Sequence, residues 1–339
     1  MQTVVCENPG SLVLKNIDDP IPSPGKVLLK IKHVGICGTD LHAFAGNQPF
    51  FTYPRILGHE LSAEVVDLNS YQGGNLKPGD EVVVIPYKHC GKCFACRKGK
   101  TNCCEKLSVF GVHEDGGMQQ YFEYDPSLLL PAEGLLSREK AIVEPLCIGT
   151  HAVERAEPGP DSWVIISGCG PIGVGIIWAA QARTDRIIAL DVDENRLNFC
   201  RKNLKVPYTV SVKEDVLDQI REITGGLMAQ VVFDATGIKA PMEKAIDYLS
   251  PTGKYVLVGL NRGNLSFNHP SMHARELSVL CSRNATISDF ENVIRRMQNR
   301  EFPSSSYITH EENFRQIPQR FDFWKNPENQ AMKVVTQWD

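Results

Sequence analysis

The stretch Trp163-Val164-Ile165-Ile166-Ser167-Gly168-Cys169-Gly170-Pro171-Ile172-Gly173 constrains the fold of this chain more than any other. A short apolar run rich in β-branched residues meets three glycines at G-x-G-x-x-G spacing, and Val174 to Ala182 continues with helical character. Alone, that glycine spacing is weak. Here it has a strand before it and a helix after it, and a second apolar run, Arg186 to Leu190, ends on Asp191, 23 residues beyond the first glycine. The pattern lets backbone N–H groups and a helix N-terminus approach a pyrophosphate, with Gly168, Gly170, Pro171, Ile172 and Gly173 as the candidate cofactor-binding residues. Asp191 would accept hydrogen bonds from the adenosine ribose, and Val192 beside it offers no cation for a 2′-phosphate, so NAD is favoured over NADP. Asp191 also reads as a turn residue ahead of the helix start Asp193-Glu194-Asn195-Arg196-Leu197, where Asp193 can cap and Arg196 joins the cofactor candidates. Gln230 to Gly237 and Lys254 to Leu260 read as later strands of a doubly wound parallel sheet. Trp163 to Ala182 is long enough and uncharged enough to span a bilayer, but its glycines and Pro171 divide it into strand, turn and helix, so no membrane partner is expected.

Two cysteine- and histidine-bearing stretches come earlier. Cys90, Cys93 and Cys96, followed by Cys104, make C-x2-C-x2-C-x7-C. Thiolates two residues apart can wrap a tetrahedral zinc, and a site closed by four sulfurs has no open position, so this zinc is structural. Either Cys103 or Cys104 could close it, and Cys104 is the choice. Upstream, Gly35-Ile36-Cys37-Gly38-Thr39-Asp40-Leu41-His42 and Leu57-Gly58-His59-Glu60 offer a thiolate, an imidazole and a carboxylate. Three such ligands with a fourth position open suit a catalytic zinc. Cys37 alone would read as a small buried hydrophobe. Its flanking glycines, the nearby Thr39 and His42, and the second metal motif favour the catalytic reading, giving two zinc ions per chain.

The segment before these motifs reads as short strands with Gly/Pro turns: Leu12 to Lys15, Val27 to Lys32, Leu61 to Val66 and Glu81 to Ile85, a small barrel with the ligands on loops at its rim. Beyond Ser282 the βαβ alternation ends, and Phe290 to Met297 reads as a helix returning to the first domain. In 339 residues a net charge of −4 gives no basic field for a nucleic-acid partner. Eleven cysteines without an export signal at Met1 to Cys6 point to metal binding and a cytoplasmic protein.

With two zinc motifs and a nucleotide fingerprint in this order, the sequence resembles the zinc-dependent medium-chain dehydrogenases of the polyol/alcohol dehydrogenase superfamily over essentially its whole length. The resemblance implies a GroES-like catalytic β-barrel domain over residues 1–148, a Rossmann domain over 149–286 and a C-terminal return over 287–339. It also implies a homodimer or homotetramer. By its motif, Cys37, His59 and Glu60 bind the catalytic zinc, with Glu144 of Glu144-Pro145 at a further ligand position where classical alcohol dehydrogenases have Cys; Glu60, Glu144 or water then completes the sphere. Thr39 and His42 would relay the proton released as a secondary alcohol passes hydride to NAD. Gly46 to Phe51, Thr101 to Lys106, Gly111-Val112-His113 and Ser282-Arg283-Asn284-Ala285 resemble the bacterial hexonate dehydrogenases, which oxidise C5 of L-gulonate or L-galactonate. Arg283 is then the candidate for the carboxylate, with Asn47, His113 and Arg55 as weaker substrate candidates. Arg283 could equally serve a subunit contact or the nicotinamide. The other expectations are a neutral polyol or threonine dehydrogenase, a zinc-free quinone reductase, which the complete ligand set opposes, and an NAD-binding zinc regulator without turnover.

Overall fold

The computed structural model describes residues 1–48, 51–213 and 215–339, which form two compact units. The first takes in Met1–Glu144 and Thr286–Asp339, and the second Pro145–Ala285. The first boundary falls within the helix Val143–Ala156.

Alternating and continuous apolar runs become a seven-stranded sheet in the first unit. Its order is Leu129–Pro131, Glu81–Val84, Glu60–Asp67, Val27–Ile36, Lys333–Gln337 and Ile308–Asn313, with Tyr121–Tyr124 also paired to Val27–Ile36. A three-stranded sheet joins Ser11–Asn16, Gln2–Asn8 and Arg55–Ile56. Val27–Ile36 is the longest strand and buries alternate residues along its first half and every residue from His33 onward. Both of its edges are paired antiparallel, one by Glu60–Asp67 and the other by Tyr121–Tyr124 and then the C-terminal Lys333–Gln337. The returning helix runs from Ile287 to Gln298, longer than the expected Phe290 to Met297, because Thr286 and Asp289 form a capping box ahead of the apolar face.

The second unit is a six-stranded parallel sheet. Numbered by chain order its strands lie 3-2-1-4-5-6: Tyr208–Ser211, Ile187–Asp191, Val164–Ser167, Ala229–Asp234, Leu249–Leu257 and Ser278–Cys281. Val164–Ser167 is buried at all four residues, and the helix that follows starts at Pro171, three residues before the helical character becomes evident in the sequence, since Pro is favoured in a first turn. A doubly wound sheet of this order binds ligands outside its carboxyl ends where the order reverses, beside Val164–Ser167. Among the described residues no helix is long and apolar enough to cross a membrane.

Candidate active site

Strand register assembles the first cluster. Gly35 lies opposite Glu60 across the sheet, so the end of one strand and the start of its neighbour bring Cys37, His59 and Glu60 together. Their ligand atoms lie within 4.8 Å of one another, with His59 and Glu60 buried. The approach requires glycine: a Cβ at Gly35 would stand 2.1 Å from Glu60 Oε2. Asp40, fully buried, accepts hydrogen bonds from the Cys37 N–H at 2.9 Å and the Gly58 N–H at 3.2 Å, tying the two ligand turns together. His59 Nδ1 is buried without a hydrogen-bond partner, 3.8 Å from Asp40 Oδ1. Burial opposes protonation of His59, but the adjoining Cys37 and Asp40 outweigh it and hold the imidazole pKa well above its usual value. A thiol, an imidazole and a carboxylate crowded in a buried spot make a donor set that fits zinc.

Around the cluster stand Lys333 and Tyr87, which the sequence reading missed, and Glu144, which it named. Lys333, 2% exposed, donates to both Glu60 oxygens at 2.8 and 2.7 Å and to the Ile36 carbonyl at 3.1 Å. Burial disfavours its charge, yet Glu60 more than compensates and raises its pKa well above the usual lysine value. Glu144 is 4% exposed, and its Oε1 accepts a hydrogen bond from the Tyr87 hydroxyl. Burial pushes the Glu144 carboxyl up to about 7, with His59 opposing the shift and Glu60 adding to it. No motif marks Lys333 or Tyr87. The usable signals were a lysine heading the β-branched run Val334-Val335-Thr336 and a tyrosine three residues before the first thiolate of the cysteine loop.

Thr39 is half-buried and His42 exposed on the helix Gly38–Phe44, with Asn47 exposed just beyond it. Arg55 directs its guanidinium to Thr52 Oγ1 at 2.7 Å and Asp115 Oδ1 at 3.4 Å, while His113 Nδ1 accepts the Val109 N–H at 2.9 Å within its own turn. Both therefore have local structural partners. Pro49 and Phe50 of the Gly46 to Phe51 motif lie outside the described residues.

Cys90, Cys93, Cys96 and Cys104 form a second cluster with sulfurs within 4.8 Å, whereas Cys103 is exposed. Backbone amides surround the sulfurs: the Cys90 and Lys106 N–H groups donate to Cys104 Sγ and the Cys93 N–H to Cys90 Sγ, each at 3.3 Å. Amides of Cys96 and Glu105 push the Cys93 thiol down to about 6. Desolvation and the neighbouring Cys93 and Cys104 sulfurs push the Cys96 thiol the other way, up to about 12; a cation among four crowded sulfurs would relieve that, and four thiolates fit a closed zinc site.

In the second unit the glycine turn packs as the spacing requires. A Cβ on Gly173 would lie 1.8 Å from the Gly168 carbonyl oxygen, so only glycine permits this approach of helix to strand. Asp191, 5% exposed, accepts the Cys169 N–H at 2.6 Å and the Asp193 N–H at 2.9 Å, and Asp193 caps its helix through the Asn195 N–H. The helix also brings back a cation: Arg196 Nη1 is 3.9 Å from Asp191 Oδ2. Three exposed aliphatics, Val192, Ile238 and Leu260, follow the carboxyl ends of three strands of the sheet. This apolar rim around a glycine turn fits an adenine nucleotide. Beside the exposed Arg283, Ser282 Oγ and Asn284 Nδ2 are buried without partners.

Comparison with known proteins agrees with this architecture. Residues 23–134 match the alcohol dehydrogenase GroES-like domain, and residues 171–299 match the zinc-binding dehydrogenase family. L-galactonate-5-dehydrogenase of Escherichia coli K12 is 41% identical over 322 residues, covering 95% of this chain and 94% of that one. The chain is a zinc-dependent medium-chain dehydrogenase. Within this alcohol/polyol dehydrogenase family, the sorbitol dehydrogenase of Halalkalibacterium halodurans is 30% identical, with 94% of each chain covered. The L-idonate 5-dehydrogenase structure from Escherichia coli superimposes with a TM-score of 0.88 at 25% identity, covering 99% of this dehydrogenase and 97% of that chain. The structure of RspB from Escherichia coli CFT073, complexed with NADH, superimposes with a TM-score of 0.92 at 25% identity, covering 99% of both.

Proposed function

We propose that this dehydrogenase oxidises the C5 hydroxyl of a sugar acid, L-gulonate or L-galactonate, to a 5-keto acid with reduction of NAD. The observation that carries the reading is the 41% identity to L-galactonate-5-dehydrogenase over 95% of the chain. The 30% identity to a sorbitol dehydrogenase favours a neutral polyol as the second reading.

Cys37 and His59, with Glu60 or Glu144, would hold a catalytic zinc, and Cys90, Cys93, Cys96 and Cys104 a structural one. When bound, zinc would supply a Lewis acid that makes an alcohol hydroxyl more acidic, as it brings water from about 15.7 to roughly 7. Around it the protein's own groups would orient and deprotonate the substrate. Asp40 fixes the two ligand turns, Thr39 and the exposed His42 offer a route to solvent for the released proton, and Arg283 would pair with the carboxylate of the sugar acid. Asp191 would bind the adenosine ribose of NAD, with the diphosphate over Gly168 to Gly173 and Arg196 alongside. The unpartnered Ser282 and Asn284 side chains support a ligand contact by the segment around Arg283. The exposed parallel edge strand Ser278–Cys281 supports a homodimer, since proteins cover or blunt such edges.

NADH formation measured across L-galactonate, L-gulonate, sorbitol and threonine tests the assignment. A hexonate should turn over fastest, and Arg283→Ala should raise KM far more for the acid than for the matching polyol. Faster oxidation of sorbitol or threonine would overturn the sugar-acid reading and leave the polyol reading standing.

A further inference from the structure

Two carboxylates lie buried at the Cys37–His59 cluster, and the protein holds them by different means. Glu60 has an ammonium on both oxygens, with Lys333 Nζ at 2.8 and 2.7 Å. Glu144 has a phenol: Tyr87 donates to its Oε1. An ammonium neutralises its partner, whereas a phenol orients a carboxylate by one hydrogen bond and leaves its charge intact. Glu144 is therefore the carboxyl held by a neutral donor and not by a counter-charge of its own, and Tyr87 supplies the contact that restrains it.

The position of Tyr87 is itself determined by its surroundings. It is 4% exposed, and Phe290 packs edge-on against its ring at 6.0 Å between centroids. Its two-residue strand Tyr87–Lys88 pairs with Ser108–Val109, and these strands form the base of the loop that carries Cys90 to Cys104. Lys88 secures that base through Glu114 Oε2 at 2.8 Å and by lying over the rings of Phe110 and Tyr124. The four-thiolate loop thus leads through two residues of chain, Lys88 and His89, into the group that holds Glu144.

We propose that Tyr87 is a positioning residue of the catalytic centre: its hydroxyl restrains Glu144 and so limits how strongly that carboxylate competes for the metal and for the position a substrate oxygen would take. The kinetic part rests on the dehydrogenase reading above, but the metal-binding part does not.

The test uses the full-length protein with Co2+ at the catalytic site, in wild type, Tyr87→Phe, Glu144→Gln and the double variant. Affinity is read by chelator competition and ligand geometry by the visible absorption of cobalt. Tyr87→Phe should bind the ion more tightly, on the order of ten-fold for one hydrogen bond to a charged group, and should alter the cobalt bands. In the Glu144→Gln background the same substitution should change neither. NAD affinity should be unchanged while kcat/KM for the alcohol falls. Unaltered affinity and spectrum in Tyr87→Phe, or an equal change with Glu144 already removed, would overturn the proposal. Should Tyr87→Phe fail to fold, Tyr87→Leu, which also removes the hydroxyl, takes its place: tighter binding and altered bands are expected again, and their absence would overturn the proposal. Absence of NAD-linked turnover in wild type would refute the dehydrogenase reading while leaving the cobalt result interpretable.

Discussion

Replacing Lys333 with methionine removes the only positive charge that contacts Glu60 among the described residues, in a place with almost no solvent: the two side chains are 1% and 0% exposed. Methionine fills much of the same volume, so the loss is electrostatic. A carboxylate left unpaired at such a site costs about 3–5 kcal/mol. At roughly 2–4 °C per kcal/mol for a domain of this size, Tm should fall on the order of 10 °C. Lys333→Met/Glu60→Gln should regain most of that loss, because a neutral pair needs no counter-charge. Since the lysine pKa is raised in the fold, its contribution is complete below the ordinary lysine value and is lost only as pH rises through the raised one. The Tm deficit should therefore be constant from about pH 6 to 9. Thermal unfolding by circular dichroism at fixed metal content measures all of this. A Tm within about 2 °C of wild type, or a double variant no more stable than the single, would refute the reasoning.

Cys93→Ser should lower both stability and metal content by one ion per chain, whereas Cys37→Ser should abolish turnover with little loss of stability; elemental analysis beside thermal unfolding separates the two. Asp191→Ala should weaken NAD and narrow its advantage over NADP, since Arg196 would then be free to meet a 2′-phosphate; titration by NADH fluorescence reads both. Glu144 carries a carboxyl pKa raised to about 7, so in chelator-treated protein its ionisation should erode stability as pH climbs from its ordinary value through 7 and be constant above. Glu144→Gln should remove that erosion, worth up to about 3 kcal/mol at pH 8 and nothing at pH 4, as urea unfolding at the two pH values would report.

What could be read from the sequence was whatever depends on local spacing. The cysteines two residues apart, the glycines of the 168–173 turn and the pair His59-Glu60 each bring chemistry together within a few residues. Cys103 and Cys104 were equivalent by spacing alone. Only the packed loop separates a sulfur facing its three partners from an exposed one. Arg196 is a cofactor candidate by its helix, but its approach to Asp191 follows only from the turn of helix that returns the side chain there. Lys333 lies 273 residues from Glu60, and nothing local connects them; the link is the pairing of the last strand with Val27–Ile36. Tyr87 looks like any β-forming aromatic until Glu144 is placed beside its hydroxyl.

The dependence on Lys333 gives a physical reason for the course of the chain. The first unit is interrupted after Glu144 and resumes at Thr286, so its sheet stays open beside Val27–Ile36 until the final strand arrives. Glu60 is fully buried in the space that Gly35, having no side chain, leaves for it. Until Lys333–Gln337 docks, that carboxylate must be protonated, solvated through the gap or bound to a metal. Docking supplies the ammonium and the hydrogen-bonded edge in one step: Lys333 reaches Glu60 while Val334, Val335 and Thr336 pair with Ile36, Gly35 and Val34. Closure of the catalytic sheet and neutralisation of its buried charge are therefore one event. This long-range pairing carries the loop-closure cost of most of the chain, and the ion pair helps to offset it.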